Sequence, residues 1–143
     1  MPVQDFSVSI NGVRLTCQSV TPQSPTPATR RPVIWPTGDA PTIVMLHEAL
    51  GTIRMWRDFP QKLANETGCS CLIYERRGHG TSDPHPIVPR PVDFHNEETD
   101  RFLQGLITHL NLKNPILFGH SDGATIALKY AARFPAIPRA VIS

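Results

Sequence analysis

The chain has 143 residues, of which 40% are hydrophobic and 18% charged, so it is too apolar for disorder and about the size of one domain or part of one. A formal net charge of +2 supplies no cationic excess to neutralise phosphates, which argues against a nucleic-acid partner. No apolar run approaches the roughly 18–20 residues that span a bilayer, and Met1-Pro2-Val3-Gln4-Asp5 opens no signal peptide, so a cytoplasmic location without a membrane partner is expected.

The elements follow in chain order. Residues 6–10 and 13–17 alternate apolar and polar around Asn11-Gly12, a β-hairpin signal. Fifteen prolines, about twice the usual share, fall mainly in two stretches. The first gives a proline-rich surface loop over 21–41, and the second a loop around Pro84, Pro86, Pro89 and Pro91. Between them, Thr42-Ile43-Val44-Met45-Leu46 is apolar on both faces, as a buried parallel strand is. Asp58 is the expected N-cap of a helix with Pro60 in its first turn and Gly68 at its end. Residues 69–74 form the next buried strand. Its Cys69 and Cys71 share one face and read, with Cys17, as reduced thiols in a core rather than a metal site.

From about Asn96 the period is helical, with Phe102, Leu103, Leu106, Ile107 and Leu110 on one stripe. Ile116-Leu117-Phe118 is a third buried strand. A helix over 122–133 follows, with Ala124, Ala127, Leu128 and Ala131 on its packing face and Pro135 stopping it. Residues 139–143 open one more apolar strand. Buried strands alternating with helices define an α/β fold, a mostly parallel sheet with an N-terminal hairpin and helices on both faces. Nothing follows that last strand to cover it. The 143 residues therefore read as the N-terminal part of one domain.

The sharpest chemical signal is Gly119-His120-Ser121-Asp122-Gly123, with a strand before it and a helix after it. A strand that turns abruptly into a helix lifts one residue to the tip, and the residues two before and two after it come close enough to require glycine. Ser121 is then a nucleophile at the C-terminal edge of the sheet, beside the N–H groups of a helix start. Reading Asp122 as the nucleophile would put bulky His120 where a small residue is needed. Its carboxylate is instead expected in the helix's first turn, favoured by the helix dipole. Two further blocks are Leu46-His47-Glu48-Ala49-Leu50-Gly51, after the first parallel strand, and Arg77-Gly78-His79-Gly80-Thr81-Ser82-Asp83, after the next.

In this order and spacing, the three blocks resemble the N-terminal half of the α/β-hydrolase family. The subset His-Glu-x-Leu-Gly followed by Met55-Trp56-Arg57-Asp58-Phe59-Pro60 also resembles a recurring bacterial hydrolase pattern. The resemblance implies that residues 47–49 form the oxyanion loop, with backbone N–H groups of Ala49 and Asp122 as donors and Glu48 as the less favoured alternative to Ala49. Glu48 stands where the family usually has glycine, and its side chain is expected to face solvent or pair with an arginine. His47 reads as a structural hydrogen-bonder, His79 as part of a tight turn, His120 as packed beneath the elbow, and His85, His95 and His109 as loop or helix-face residues. In family order the acid and the base come after the serine, hence beyond residue 143.

The expected function is a serine hydrolase that forms an acyl-enzyme from an ester, thioester, amide or activated C–C carbonyl, with a carboxylic ester preferred and no cofactor or metal. Its partners are a small acyl substrate and the C-terminal half of the fold, in cis or in trans; the chain by itself is expected to be inactive and prone to self-association. The alternative is a non-catalytic half-fold that binds a partner chain through its exposed sheet edge. Dehalogenase or epoxide hydrolase chemistry on the same fold ranks third, because it calls for a carboxylate at position 121.

Overall fold

A computed structural model describes residues 2–23 and 40–143. Most of the predicted proline-rich loop over 21–41 lies outside the described residues. The chain opens with β1 (Val3–Ile10) and β2 (Val13–Val20), paired antiparallel with Ile10 opposite Val13. Asn11 and Gly12 turn the chain with φ of 51° and 79°. Two consecutive positive φ values match the right-handed twist of the flanking strands.

β2 passes antiparallel to β4 (Cys71–Tyr74), which lies parallel to β3 (Ile43–Leu46). On the other side of β3 come β5 (Ile116–Gly119) and β6 (Ala140–Ile142), both parallel, to give the order β1-β2-β4-β3-β5-β6. The fold class expected from sequence is therefore the one observed. The strand-period alternation sorts the core onto the two faces of this sheet. Val44, Leu46, Leu72, Tyr74 and Leu117 point to one face, where they meet Phe102, Leu106, Ile126 and Tyr130. Ile43, Met45, Cys71, Ile73 and Ile116 point to the other, against Ala64, Cys69, Leu63 and Trp56. The cysteines are core residues, and burial pushes the thiols of Cys17 and Cys71 up to about 12.

The second face is covered by a 3₁₀ turn (Ile53–Trp56) and by α1 (Phe59–Thr67), which ends at Gly68 with φ 73°. Asp58 precedes α1 as predicted, but its carboxylate makes no capping bond and pairs with Lys62 at 2.7 Å. Its own backbone is already helical (φ −90°, ψ 0°), so the side chain is not aimed at the free N–H groups.

The first face carries a long helical segment that starts at Phe94 rather than near Asn96. It runs as α2 (Phe94–Glu97), a π-helical stretch (Glu98–Leu103) and α3 (Gln104–His109). The predicted stripe Phe102, Leu103, Leu106 and Ile107 is buried there. α4 (Asp122–Arg133) has the predicted bounds but a different packing face. Gly123, Ile126, Ala127 and Tyr130 are buried, while Leu128 is 53% exposed. The reason lies at its first turn. A Cβ on Gly123 would fall on the carbonyls of Leu46 and His47, so the backbone there lies against the end of β3. That contact rotates the helix by about one residue from the predicted stripe.

Leu46 pairs with both Tyr74 and Gly119, so β3, β4 and β5 end level. The residues that follow them, His47, Glu75 and His120, emerge together at the C-terminal edge of the sheet. Among the described residues no helix is long and apolar enough to cross a membrane.

Candidate active site

At the end of β5 the chain reverses into α4 through Ser121, whose backbone sits at φ 55°, ψ −113°. Such a conformation costs a non-glycine residue on the order of 1–3 kcal/mol. The surroundings impose it. The His120 N–H donates to the Leu46 carbonyl at 3.1 Å, and the Ser121 carbonyl accepts from the N–H groups of Ala124 at 2.9 Å and Thr125 at 3.2 Å. A Cβ on Gly119 would lie on the Gly123 carbonyl and 2.6 Å from the Ala124 Cα. The two glycines of the motif are thus required by contact, one within the elbow and one against β3. Ser121 itself is exposed at the tip, and its hydroxyl is not used to cap α4.

Facing the elbow is the loop after β3. His47 is 1% exposed. Its Nε2 accepts the Arg76 N–H at 3.0 Å, and its Nδ1 donates to the Glu48 carbonyl at 2.7 Å, which fixes one neutral tautomer. Burial, helped by the adjacent Arg76 charge, lowers its pKa to about 3. The reading of His47 as a structural hydrogen-bonder therefore agrees with the geometry. A Cβ on Gly51 would lie 2.7 Å from the His47 Cβ and 3.0 Å from its ring, so only glycine closes the loop over it.

Glu48 is half-buried, and among the described residues its carboxylate pairs with no arginine. Its Oε2 accepts the Leu50 N–H at 2.9 Å and so folds the loop on itself. Position 48 is not among the positive-φ residues, which is why glycine is dispensable there. The Ala49 carbonyl accepts from His79 Nε2 at 2.8 Å. A cavity of about 140 Å³ between loop and elbow is lined by His47, Glu48, Gly51, Met55, Trp56 and His120. His120 is exposed at its rim rather than packed beneath the elbow. A larger cleft of about 670 Å³ runs along the far side of the loop, past Ala49, Leu50, His79 and Arg90.

The third block is tied to the segment that follows the loop after β3 by Glu75, 5% exposed. Its carboxylate accepts the N–H groups of Ile53 at 3.2 Å and Thr81 at 2.8 Å. Gly80 lies against that carboxylate, where a Cβ has no room.

Several residues at the site were not singled out from sequence. Arg76 is fully buried. Its guanidinium donates to the carbonyl of His47, to that of Glu48 at 3.2 Å and to Asp122 Oδ2 at 3.4 Å. The other Asp122 oxygen lies 2.6 Å from His95 Nε2. The Asp122 side chain thus belongs to a partly buried network rather than to the helix dipole alone, and His95 is no ordinary helix-face residue. Behind Arg76 lies Glu98, 3% exposed, its Oε2 without a donor among the described residues. Burial raises its carboxyl to about 7, against the pull of Arg76 and Arg90. The sequence signal for this network is a run of three charged residues, Glu75-Arg76-Arg77, directly after a buried strand.

The six histidines are accounted for without the serine. His47, His79 and His95 bond as described, His85 bonds Glu97 and the Ile87 carbonyl, and His109 and His120 are exposed. No hydrogen bond joins any of them to the Ser121 hydroxyl.

A strand–elbow–helix with contact-enforced glycines, on a mostly parallel sheet entered through an antiparallel hairpin, is the arrangement of one large fold family. The family model for the alpha/beta hydrolase fold matches residues 41–143. The chain belongs to that family. It is 26% identical over 145 residues to a protein from Xenopus laevis named sn-1-specific diacylglycerol lipase ABHD11, covering 96% of this chain and 44% of that protein. The chain thus spans less than half the length of this relative. Among solved structures it resembles a haloalkane dehalogenase, DatA, from Agrobacterium tumefaciens C58, at TM-score 0.72 and 20% identity over 97% of this chain and 40% of the other. An epoxide hydrolase mutant from Vigna radiata superposes equally well, at TM-score 0.72 and 17% identity, over 98% of this chain and 37% of the other.

Proposed function

We propose that this chain carries the nucleophile and the oxyanion donors of a serine hydrolase acting on carboxylic esters. The observation that carries the reading is Ser121: an exposed hydroxyl on a left-handed, contact-enforced turn between a buried strand and a helix start. A serine at this tip favours acyl transfer, and the likeness to a protein named as a lipase supports an ester over other carbonyl substrates.

In the proposed reaction Ser121 Oγ attacks the ester carbonyl carbon and gives its proton to a base. The carbonyl π electrons move onto oxygen, and the N–H groups of Ala49 and Asp122 receive the resulting oxyanion. Collapse expels the alcohol, which takes the proton, and water then repeats the sequence on the acyl-enzyme. The Asp122 N–H is the first of α4 and points back along the helix toward the elbow. None of the six histidines hydrogen-bonds the Ser121 hydroxyl, and the reading assigns base and acid to the remainder of the fold, in cis or in trans. The outer edge of β6, with Ile142 48% exposed, is where further strands of that remainder would pair.

The test is hydrolysis of p-nitrophenyl butyrate by the intact protein. Ser121→Ala should remove turnover while leaving the far-UV spectrum unchanged. Turnover that survives this substitution would refute the reading.

A further inference from the structure

We infer that Arg76 is a positioning residue that aims the oxyanion donors, an inference that rests on the serine-hydrolase reading of Ser121. Its guanidinium is fully buried and holds two consecutive carbonyls, those of His47 and Glu48. The Glu48 carbonyl receives two further donors, His47 Nδ1 at 2.7 Å and the Gly51 N–H at 3.0 Å. A trans peptide is planar, so the N–H lies opposite the C=O. Pinning these two carbonyls inward therefore turns the N–H groups of Glu48 and Ala49 the other way, out of the buried cluster. The same guanidinium reaches Asp122 Oδ2 at 3.4 Å. Asp122 follows Ser121 directly and owns the second proposed donor. One planar fork thus spans both halves of the proposed oxyanion site. This matters most because Glu48 replaces the family's glycine: its carboxylate is tied to the Leu50 N–H at 2.9 Å, and the guanidinium fixes the peptides on either side of it. Lysine, a point charge, cannot reproduce a planar fork.

The experiment measures the rate at which a fluorophosphonate labels Ser121 in the intact protein, resolved into a reversible binding constant and a chemical step. Attack on phosphorus builds charge on an oxygen that needs the same donors. The variants are Arg76→Lys and Arg76→Gln, with Ser121→Ala as the control. The chemical step should slow about 10²-fold in Arg76→Gln, the scale of one lost oxyanion donor, and by less in Arg76→Lys. Reversible binding should stay within threefold and near-UV circular dichroism should be native. Labelling within threefold of the parent in Arg76→Gln would overturn the inference and leave the serine-hydrolase reading standing. Loss of labelling in step with loss of native structure in both variants would also overturn it, by making Arg76 a folding residue only. An unlabelled parent, or a labelled Ser121→Ala, would instead refute the reading on which the inference rests.

Discussion

Gly123→Ala is the sharpest structural perturbation available at the elbow. The added methyl would fall on the Leu46 carbonyl and 2.8 Å from the His47 oxygen, well inside an ordinary contact. Neither carbonyl is free to yield. The Leu46 oxygen already accepts the His120 N–H at 3.1 Å, and the His47 oxygen is held by Arg76. The start of α4 must therefore lift from β3. Overpacking costs about 1–3 kcal/mol, and loss of the bond to Leu46 adds about 0.5–1.5 kcal/mol, for a total of roughly 1.5–4.5 kcal/mol, centred on about 3 kcal/mol. Gly68→Ala is the control. Its Cβ meets nothing within 4 Å, so only the left-handed φ of 73° is penalised, at about 1–2 kcal/mol. Urea denaturation followed by far-UV circular dichroism should give equal slopes and a midpoint shift clearly larger for Gly123→Ala. Equal shifts for the two variants, or a larger one for Gly68→Ala, would refute the argument that contact with β3 fixes the elbow.

Glu98→Gln should alter the pH dependence of stability. With its carboxyl at about 7 in the fold against 4.5 for the free group, Glu98 contributes stability that is complete below 4.5 and is lost as pH rises through 7. The parent should therefore lose on the order of 2 kcal/mol relative to Glu98→Gln between pH 5 and 8, measured by urea titration at each pH; a constant difference would show that Glu98 is ionised throughout. His47 acts in the opposite direction. Its pKa of about 3 in the fold against 6.5 outside means that stability is complete above 6.5 and falls as pH drops toward 3, and His47→Gln should flatten that acid limb in the same titration. Ala49→Pro, which deletes one proposed donor, should lower turnover of p-nitrophenyl butyrate by about 10²–10³. Glu48→Gly should leave turnover unchanged or raised, and a hundredfold loss would mean that Glu48 itself acts on substrate.

Sequence reading was strongest where one residue type answers to one local constraint. Asn11-Gly12 set the hairpin, and Pro135 with the Gly119–Gly123 pair bounded α4 at both ends. The buried strands were legible because they are apolar on both faces. The packing face of α4 was not, because a tertiary contact between Gly123 and the end of β3 sets its rotation. The π-helical stretch over 98–103 was equally hidden, since the stripe of Phe102, Leu103 and Leu106 fits either helical period over so short a span. Arg76 was missed for a different reason. An arginine after a strand reads as surface, and its partners His47, Glu48 and Asp122 lie 28 to 46 residues away. Local pattern finds the elbow, whereas the polar network that braces it is defined only by register between strands.

The function proposed for this chain requires that Ser121 be the nucleophile. The direct measurement is to treat the intact protein with a fluorophosphonate, digest it, and locate the adduct by mass spectrometry. A single stoichiometric adduct on Ser121, absent from Ser121→Ala, is the predicted result. An adduct on another residue, or none on a protein that nevertheless hydrolyses esters, would contradict the assignment of Ser121 as the nucleophile.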